Sequence, residues 1–214
     1  MMRPVILIIG AYLLGSIPFG LVIARTYGKD LRSIGSGNIG ATNLARALGG
    51  KWGYLCFCLD MLKGLAPMLA AGVLLEVANP TPASVSLWLI VGCAAILGHV
   101  FPVYVKFKGG KGVATSFGVA LGLWPYYTIC ALIAVAVWAV VVLMWRYISL
   151  GSIAASIAFP IALILAIVLI PSWDFFNLWP LLIAAIAIPV MVIVRHRENI
   201  KRLIAGTESR VFTK

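Results

Sequence analysis

Nine consecutive residues, GSGNIGATN at 35–43, set three glycines and an alanine among four small polar side chains. Gly35, Gly37, Gly40 and Ala41 add almost no bulk, so backbone N–H groups can come close to a ligand, and a concave run of such donors suits an anion. Ser36, Asn38, Thr42 and Asn43 add neutral donors. LARALGG follows and carries Arg46 one turn into what reads as a short helix, whose N-terminus also favours negative charge. A second island, KFKGGKGVATSFG at 106–118, places Lys111 between Gly110 and Gly112 directly ahead of helical sequence. An ammonium group, backbone N–H groups and a positive helix end could there meet one phosphate. The spacing is not GxxxxGK[ST] and no strand precedes it, which argues against a nucleoside triphosphatase. In a third island, RHRENIKRL at 195–203, His196 and Asn199 stand three apart on one helix face. Lys106 and Lys108 need no role beyond membrane orientation, and Arg195, Arg197 and Arg202 read as lipid-headgroup anchors.

Two further charges lie away from these islands. Asp60 and Lys63, in LDMLKG, form an (i, i+3) pair inside an apolar run, where charge is costly unless paired or turned into a polar cavity. A neutralising pair that fixes helix packing and a pair that serves function fit that spacing equally. His99, in LGHVFPVY, reads as a hydrogen-bonded structural residue near a membrane interface or as a catalyst. Cys56, Cys58, Cys93 and Cys130 all sit within apolar segments with no CxxC pair, so neither a disulfide nor a metal site is expected.

The elements that must position these residues are membrane helices. The chain has 214 residues, of which 63% are hydrophobic and 11% charged, against about half and about a quarter for a soluble domain. Apolar runs of about 20 residues recur along its length, which makes 1–214 a single membrane domain with short loops. The first run, 4–24, lacks an A-x-A-like cleavage site and is expected to be retained.

Lys and Arg placement sets the orientation. Arg25, Lys29, Arg32, Arg46 and Lys51 follow the first run and mark a cytoplasmic loop. A second span over 52–76 leads to NPTPAS, which has no Lys or Arg and reads as an external turn, and 84–105 returns the chain to Lys106, Lys108 and Lys111. The apolar stretch from 113 to about 144 is too long for one span and is broken at Trp124-Pro125. Its first part, 113–123, covers only about 16 Å as a helix, half of the usual hydrocarbon thickness. If it crosses, Arg146 falls inside, 171–177 with Asp174 outside, and the tail from Arg195 to Lys214 inside. Only Arg3 then lies outside and only Lys63 within a span. The expectation is an all-α polytopic protein with seven spans, one short, N-terminus out and C-terminus in, and its three polar islands on the cytoplasmic face. The net charge of +11 is then what orientation demands, so no nucleic-acid partner is needed to explain it.

GSGNIGATN with LARALGG, LDMLKG, LGHVFPVYVKFKGGKGVATSFG and HRENIKRLIAGTESR together resemble the bacterial PlsY family, in order and spacing over nearly the whole chain. The resemblance implies a plasma (inner) membrane enzyme that moves a fatty acyl group from acyl phosphate to the 1-hydroxyl of glycerol 3-phosphate, giving lysophosphatidic acid and phosphate. It implies no cofactor or metal. The expected chemistry rests on Ser36, Lys111 and His196. Substrate phosphate is assigned to Gly37, Asn38, Gly40, Thr42, Asn43, Arg46, Gly110, Lys111, Gly112 and Asn199, with Asp60, Lys63 and His99 behind them. Partners are the two substrates, the lipid bilayer and a soluble acyl-phosphate-producing acyltransferase. Acyl phosphate is already activated, so direct attack by the glycerol hydroxyl is expected, with a substrate phosphate or His196 as base. Transfer through Ser36 is the rival mechanism. A transporter of small organic phosphates and a basic lipid-binding scaffold are the rival functions.

Overall fold

The computed structural model describes residues 2–75 and 81–211, and every regular element among them is helical. Six stretches are long and apolar enough to cross a bilayer: Met2–Thr26, Gly50–Leu74, Pro82–Val105, Tyr126–Trp145, Ile148–Leu169 and Phe175–Arg195. A seventh apolar helix, Val113–Gly122, has ten residues, about 15 Å of rise. Glu76 at the expected end of the second span, the first two residues of NPTPAS, and Lys214 lie outside the described residues. The chain divides into two compact units, Met1–Asn79 with Leu87–Leu123 and Pro80–Ser86 with Trp124–Lys214.

In the first unit the expected continuous span over 4–24 is two helices, α1 (Met2–Gly15) and α2 (Phe19–Thr26). Pro18 causes the break: it has no N–H to donate and disfavours helical backbone at Ile17 before it. The carbonyl of Ile17 is not left bare. Lys63 donates its ammonium to it at 2.8 Å, which meets the requirement that backbone polar groups at membrane depth find a partner within the protein.

The short helix α3 (Ala41–Leu48) lies on α4 (Gly50–Leu74). Leu21, Ile23, Ala24, Leu31, Ile39, Leu44 and Cys56 form one buried cluster there. Ile39 within the first island and Leu44 just after it are both in that cluster, and their burial, about 1.5–3 kcal/mol per large side chain, helps to pin the glycine-rich loop. α5 (Pro82–Val100) comes close to α1, since a Cβ on Gly15 would strike the Ala95 carbonyl and one on Gly98 the Tyr12 carbonyl. A 3-10 turn at Val103–Val105 leads from it into the second island. α6 (Val113–Gly122) packs as tightly on α4: Gly118 faces the Met61 carbonyl, Gly64 faces the Thr115 carbonyl, and Thr115 Oγ1 donates to the Asp60 carbonyl at 3.0 Å. Small residues let membrane helices approach this closely.

The second unit contains α7 (Tyr126–Trp145), α8 (Ile148–Leu169), α9 (Phe175–Arg195) and α10 (Arg197–Ile204). α7 packs on α8 and α8 on α9. The Trp124-Pro125 break falls where the sequence placed it, just ahead of α7. Arg146 ends α7 in left-handed backbone, φ +64°. The turn expected over 171–177 is shorter, because Asp174 caps α9 by accepting from the Phe176 N–H at 3.1 Å and Phe175 is already helical.

Candidate active site

The first island is a loop folded around Asn43. That side chain is buried, 2% exposed; its Nδ2 donates to the carbonyls of Leu31 and Ile34 at 3.0 and 2.9 Å, and its Oδ1 accepts from the Ser36 N–H at 3.0 Å. Both amide hydrogens are used inside the loop. Asn43 thus holds the loop together from inside, with both side-chain hydrogens on loop carbonyls. Asn38 behaves alike, since its Oδ1 accepts from the Gly40 N–H at 2.9 Å. Gly40 therefore spends its N–H internally, and its φ of −88° is open to any residue. Gly35 and Gly37 do require glycine, with φ of +56° and +68°. α3 starts at Ala41, inside the motif, so the N–H groups that open a helix there belong to Ala41 and Thr42. Arg46 stands in the last turn of α3, not one turn from a free N-terminus, and is exposed, as is Ser36.

The second island begins with Lys106 and Phe107 in left-handed backbone, φ +56° and +60°, and then runs beneath the end of α5. The Gly110 N–H donates to the His99 carbonyl at 3.1 Å. A Cβ on Gly109 would strike that carbonyl and the Pro102 ring, and one on Gly110 would strike the His99 imidazole. Their lack of a side chain thus serves packing against α5. Gly112, φ +88°, swings the chain into α6, so half-buried Lys111 sits just before a helix N-terminus as expected. Arg32 reaches across from the first island, its Nη2 3.5 Å from the carbonyls of Val105 and Lys108. The two islands are thus adjacent within one unit.

Below them lies the charged cluster. Lys63 Nζ is 2.7 Å from Asp60 Oδ1, and His99 Nδ1 is 3.6 Å from the same oxygen. Asp60 and Lys63 are each 3% exposed and His99 7%. Cys56 donates its thiol to Asp60 Oδ2 at 3.6 Å, and Lys63 lies 5.6 Å over the Phe19 ring. Ser16, Pro18 and Ile39 close a narrow crevice over Asp60, Lys63 and His99. The other cysteines are unpaired in disulfide terms, Cys130 buried and Cys58 exposed.

In the second unit His196 is the joint between α9 and α10, not a residue within one continuous helix. Its Nδ1 lies 2.8 Å from the Val192 carbonyl. A carbonyl only accepts, so Nδ1 carries the hydrogen of this contact. Asn199 donates to Glu208 Oε1 at 2.7 Å, Ser149 donates to the same oxygen at 2.8 Å, and Arg202 Nε meets Oε2 at 2.7 Å. Burial alone would raise the Glu208 carboxyl, but hydrogen bonds from Asn199, Arg202 and Ser149, with the Arg202 charge, hold it below the ordinary carboxylate value. Arg202 is accordingly an ion-pair partner of Glu208. Glu208 and Ser149 escaped the sequence reading. Only six acidic residues occur in the chain, so one placed in a basic tail had a partner to explain it.

Fold and loops together define a multi-pass integral membrane protein that holds glycine-rich, cation-bearing loops at its helix ends. Residues 5–206 match the family described as Glycerol-3-phosphate acyltransferase, and the chain belongs to that acyltransferase family. A glycerol-3-phosphate acyltransferase of Trichlorobacter lovleyi is 50% identical over 95% of each chain, and that of Aquifex aeolicus 45% identical over 98% of this chain and all of its own. The crystal structure of PlsY, an integral membrane glycerol 3-phosphate acyltransferase, in its glycerol 3-phosphate form is similar at a TM-score of 0.83, with 44% identity over 97% of this chain and 94% of that one. Its lysophosphatidic acid form gives 0.81 at 43% identity.

Proposed function

We propose that this protein transfers a fatty acyl group from acyl phosphate to the 1-hydroxyl of glycerol 3-phosphate, releasing lysophosphatidic acid and inorganic phosphate for membrane phospholipid synthesis. The observation that carries this reading is the pairing of two glycine-rich loops in one unit, bridged by Arg32, with Lys111 ahead of the α6 N-terminus. Family membership and the substrate and product named for the similar crystal structures support the choice of acceptor. Phosphate on both substrates gives the loops their task.

In the proposed step the glycerol hydroxyl attacks the acyl carbon, the bond from that carbon to the phosphate oxygen breaks, and the hydroxyl proton ends on the departing phosphate. Lys111 and the opening N–H groups of α3 and α6 stabilise charge as phosphate leaves. The phosphate takes the hydroxyl proton directly, or His196 accepts it as base and passes it to the phosphate; Asn199 is a phosphate ligand, and Ser36 contacts substrate without forming an acyl-enzyme. We assign the whole chain to one catalytic membrane domain in a bacterial plasma membrane, with α6 as a short seventh crossing, N-terminus out and C-terminus in. A soluble enzyme making acyl phosphate supplies the donor. A transport path through Asp60 and Lys63 is disfavoured, since these groups are spent on each other and on Ile17.

Purified protein in detergent, given acyl phosphate and glycerol 3-phosphate, should form lysophosphatidic acid; no product would overturn the reading. Rapid-quench trapping with radiolabelled acyl phosphate should leave no label on the protein. Label lost in Ser36→Ala would establish the acyl-enzyme route instead.

A further inference from the structure

The buried cluster and the second island form a closed circuit around Lys111. Ahead of Lys111, Gly110 is fixed twice by His99: its N–H donates to the His99 carbonyl at 3.1 Å, and its Cα leaves no room for a methyl group against the imidazole. Beyond Lys111, Thr115 in the first turn of α6 donates its hydroxyl to the Asp60 carbonyl at 3.0 Å. The circuit closes because His99 Nδ1 faces Asp60 Oδ1 at 3.6 Å, just beyond hydrogen-bonding range. That nitrogen is buried and has no hydrogen-bond partner among the described residues, although its ring is 93% buried by a relative exposure of 7%. Lys63 holds the same oxygen from its far side at 2.7 Å and is tied in turn to Ile17.

Resting on the reading of Lys111 as a phosphate contact, we infer that Asp60 and His99 are positioning residues for Lys111, gripping the chain on either side of it. The charged pair is kept inside the span because Asp60 must present a fixed oxygen to the His99 ring while its backbone anchors α6. Neutralisation of Lys63 is the condition for that, not the purpose. Small displacements of a substrate-holding group act mainly on the reaction step, since a shift of about 1 Å can lower rate on the order of 100-fold.

The test is a set of double-variant cycles on kcat and KM in purified, folded protein. Asp60→Asn keeps the backbone bond to Thr115 and should lower kcat roughly 10- to 100-fold with KM for either substrate changed less than about threefold. Asp60→Asn combined with Lys111→Met should be no worse than Lys111→Met alone, because the first acts through the second. Asp60→Asn with Lys63→Met should stay impaired although no charge is left unpaired. Should Asp60→Asn fail to fold with Lys63 uncompensated, Gly110→Ala disturbs the His99 contact without touching any charge and should show the same kcat loss and the same non-additivity with Lys111→Met. Losses that multiply with Lys111→Met, or full activity in the doubly neutral variant, would overturn the inference. Wild-type protein that makes no lysophosphatidic acid would overturn the proposed function instead, before any variant is compared.

Discussion

Asn199 and Glu208, nine residues apart, meet at 2.7 Å from amide nitrogen to carboxylate oxygen, and the carboxylate also takes Ser149 and Arg202. One acid thus ties α10 to α8 and to the segment that follows α10. Hydrogen bonds to a charged group contribute about 1.5–3 kcal/mol, so Glu208→Ala should lower stability by at least about 2 kcal/mol. With Asn199 released, kcat/KM should fall roughly tenfold or more. Chemical or thermal unfolding in detergent, alongside the acyl transfer assay, measures both, and unchanged values in the variant would remove Glu208 from the site.

The same carboxylate gives a pH signature. Its pKa is held below the ordinary value in the folded protein, so its contribution is full above the unfolded pKa of about 4.3 and is lost as pH falls through the lower folded value. Wild type should melt above Glu208→Gln by a constant margin from pH 7 down to about 4.5, with the margin shrinking in more acid solution. A margin that grows on acidification would contradict the assignment.

Gly37 and Gly40 should separate sharply. Gly37 sits at φ +68°, where a branched residue costs about 1–3 kcal/mol, so Gly37→Val should insert and yet lose activity. Gly40 has φ −88° and its Cβ would meet only Asn38 Oδ1, at 3.0 Å. Gly40→Ala should keep activity within about tenfold, since a single side chain must shift. Equal losses in the two variants, at matched amounts of folded protein, would count against the loop geometry.

Lys111→Met should lower kcat/KM by roughly 10- to 1,000-fold, the range of a charge-assisted contact that strengthens in the transition state. Lys106→Met and Lys108→Met should have far smaller effects, since both side chains are exposed and neighbouring charges still orient the segment. Comparable losses in all three would replace a specific contact with a diffuse basic surface.

Topology can be read chemically. On a background without the four native cysteines, Ser172→Cys should react with an impermeant thiol reagent in intact cells, and Lys201→Cys only after permeabilisation. The reverse pattern would show that α6 does not cross.

Hydropathy revealed most of the helices because lipid leaves a spanning segment few alternatives to an apolar run. Trp124-Pro125 was legible as a break for the same reason: it interrupts a run too long for one crossing. The break at Pro18 was equally present in the letters, but residues 15–20, GSIPFG, carry no charge and one small hydroxyl, and hydropathy passes over them. The hydrogen bonds of Asn43 were not legible, because a loop asparagine can bind a ligand or staple its own backbone, and the spacing is the same for both. The packing of Gly109 and Gly110 on His99 and Pro102 was not legible either, since those partners belong to another stretch of the sequence. Glu208 needed Ser149 and Arg202 to be seen together, and Ser149 lies 59 residues away.

The hydrogen bond from Lys63 to the Ile17 carbonyl has a bearing on how the protein is made. The first apolar segment precedes by 46 residues the lysine that reaches it, and until then the Ile17 carbonyl has only the Phe19 N–H, at 3.1 Å, for a partner. The second lone pair of that oxygen is filled only once α4 lies beside α1 and α2, so the join between the first two helices gains its last polar tie from a later part of the chain.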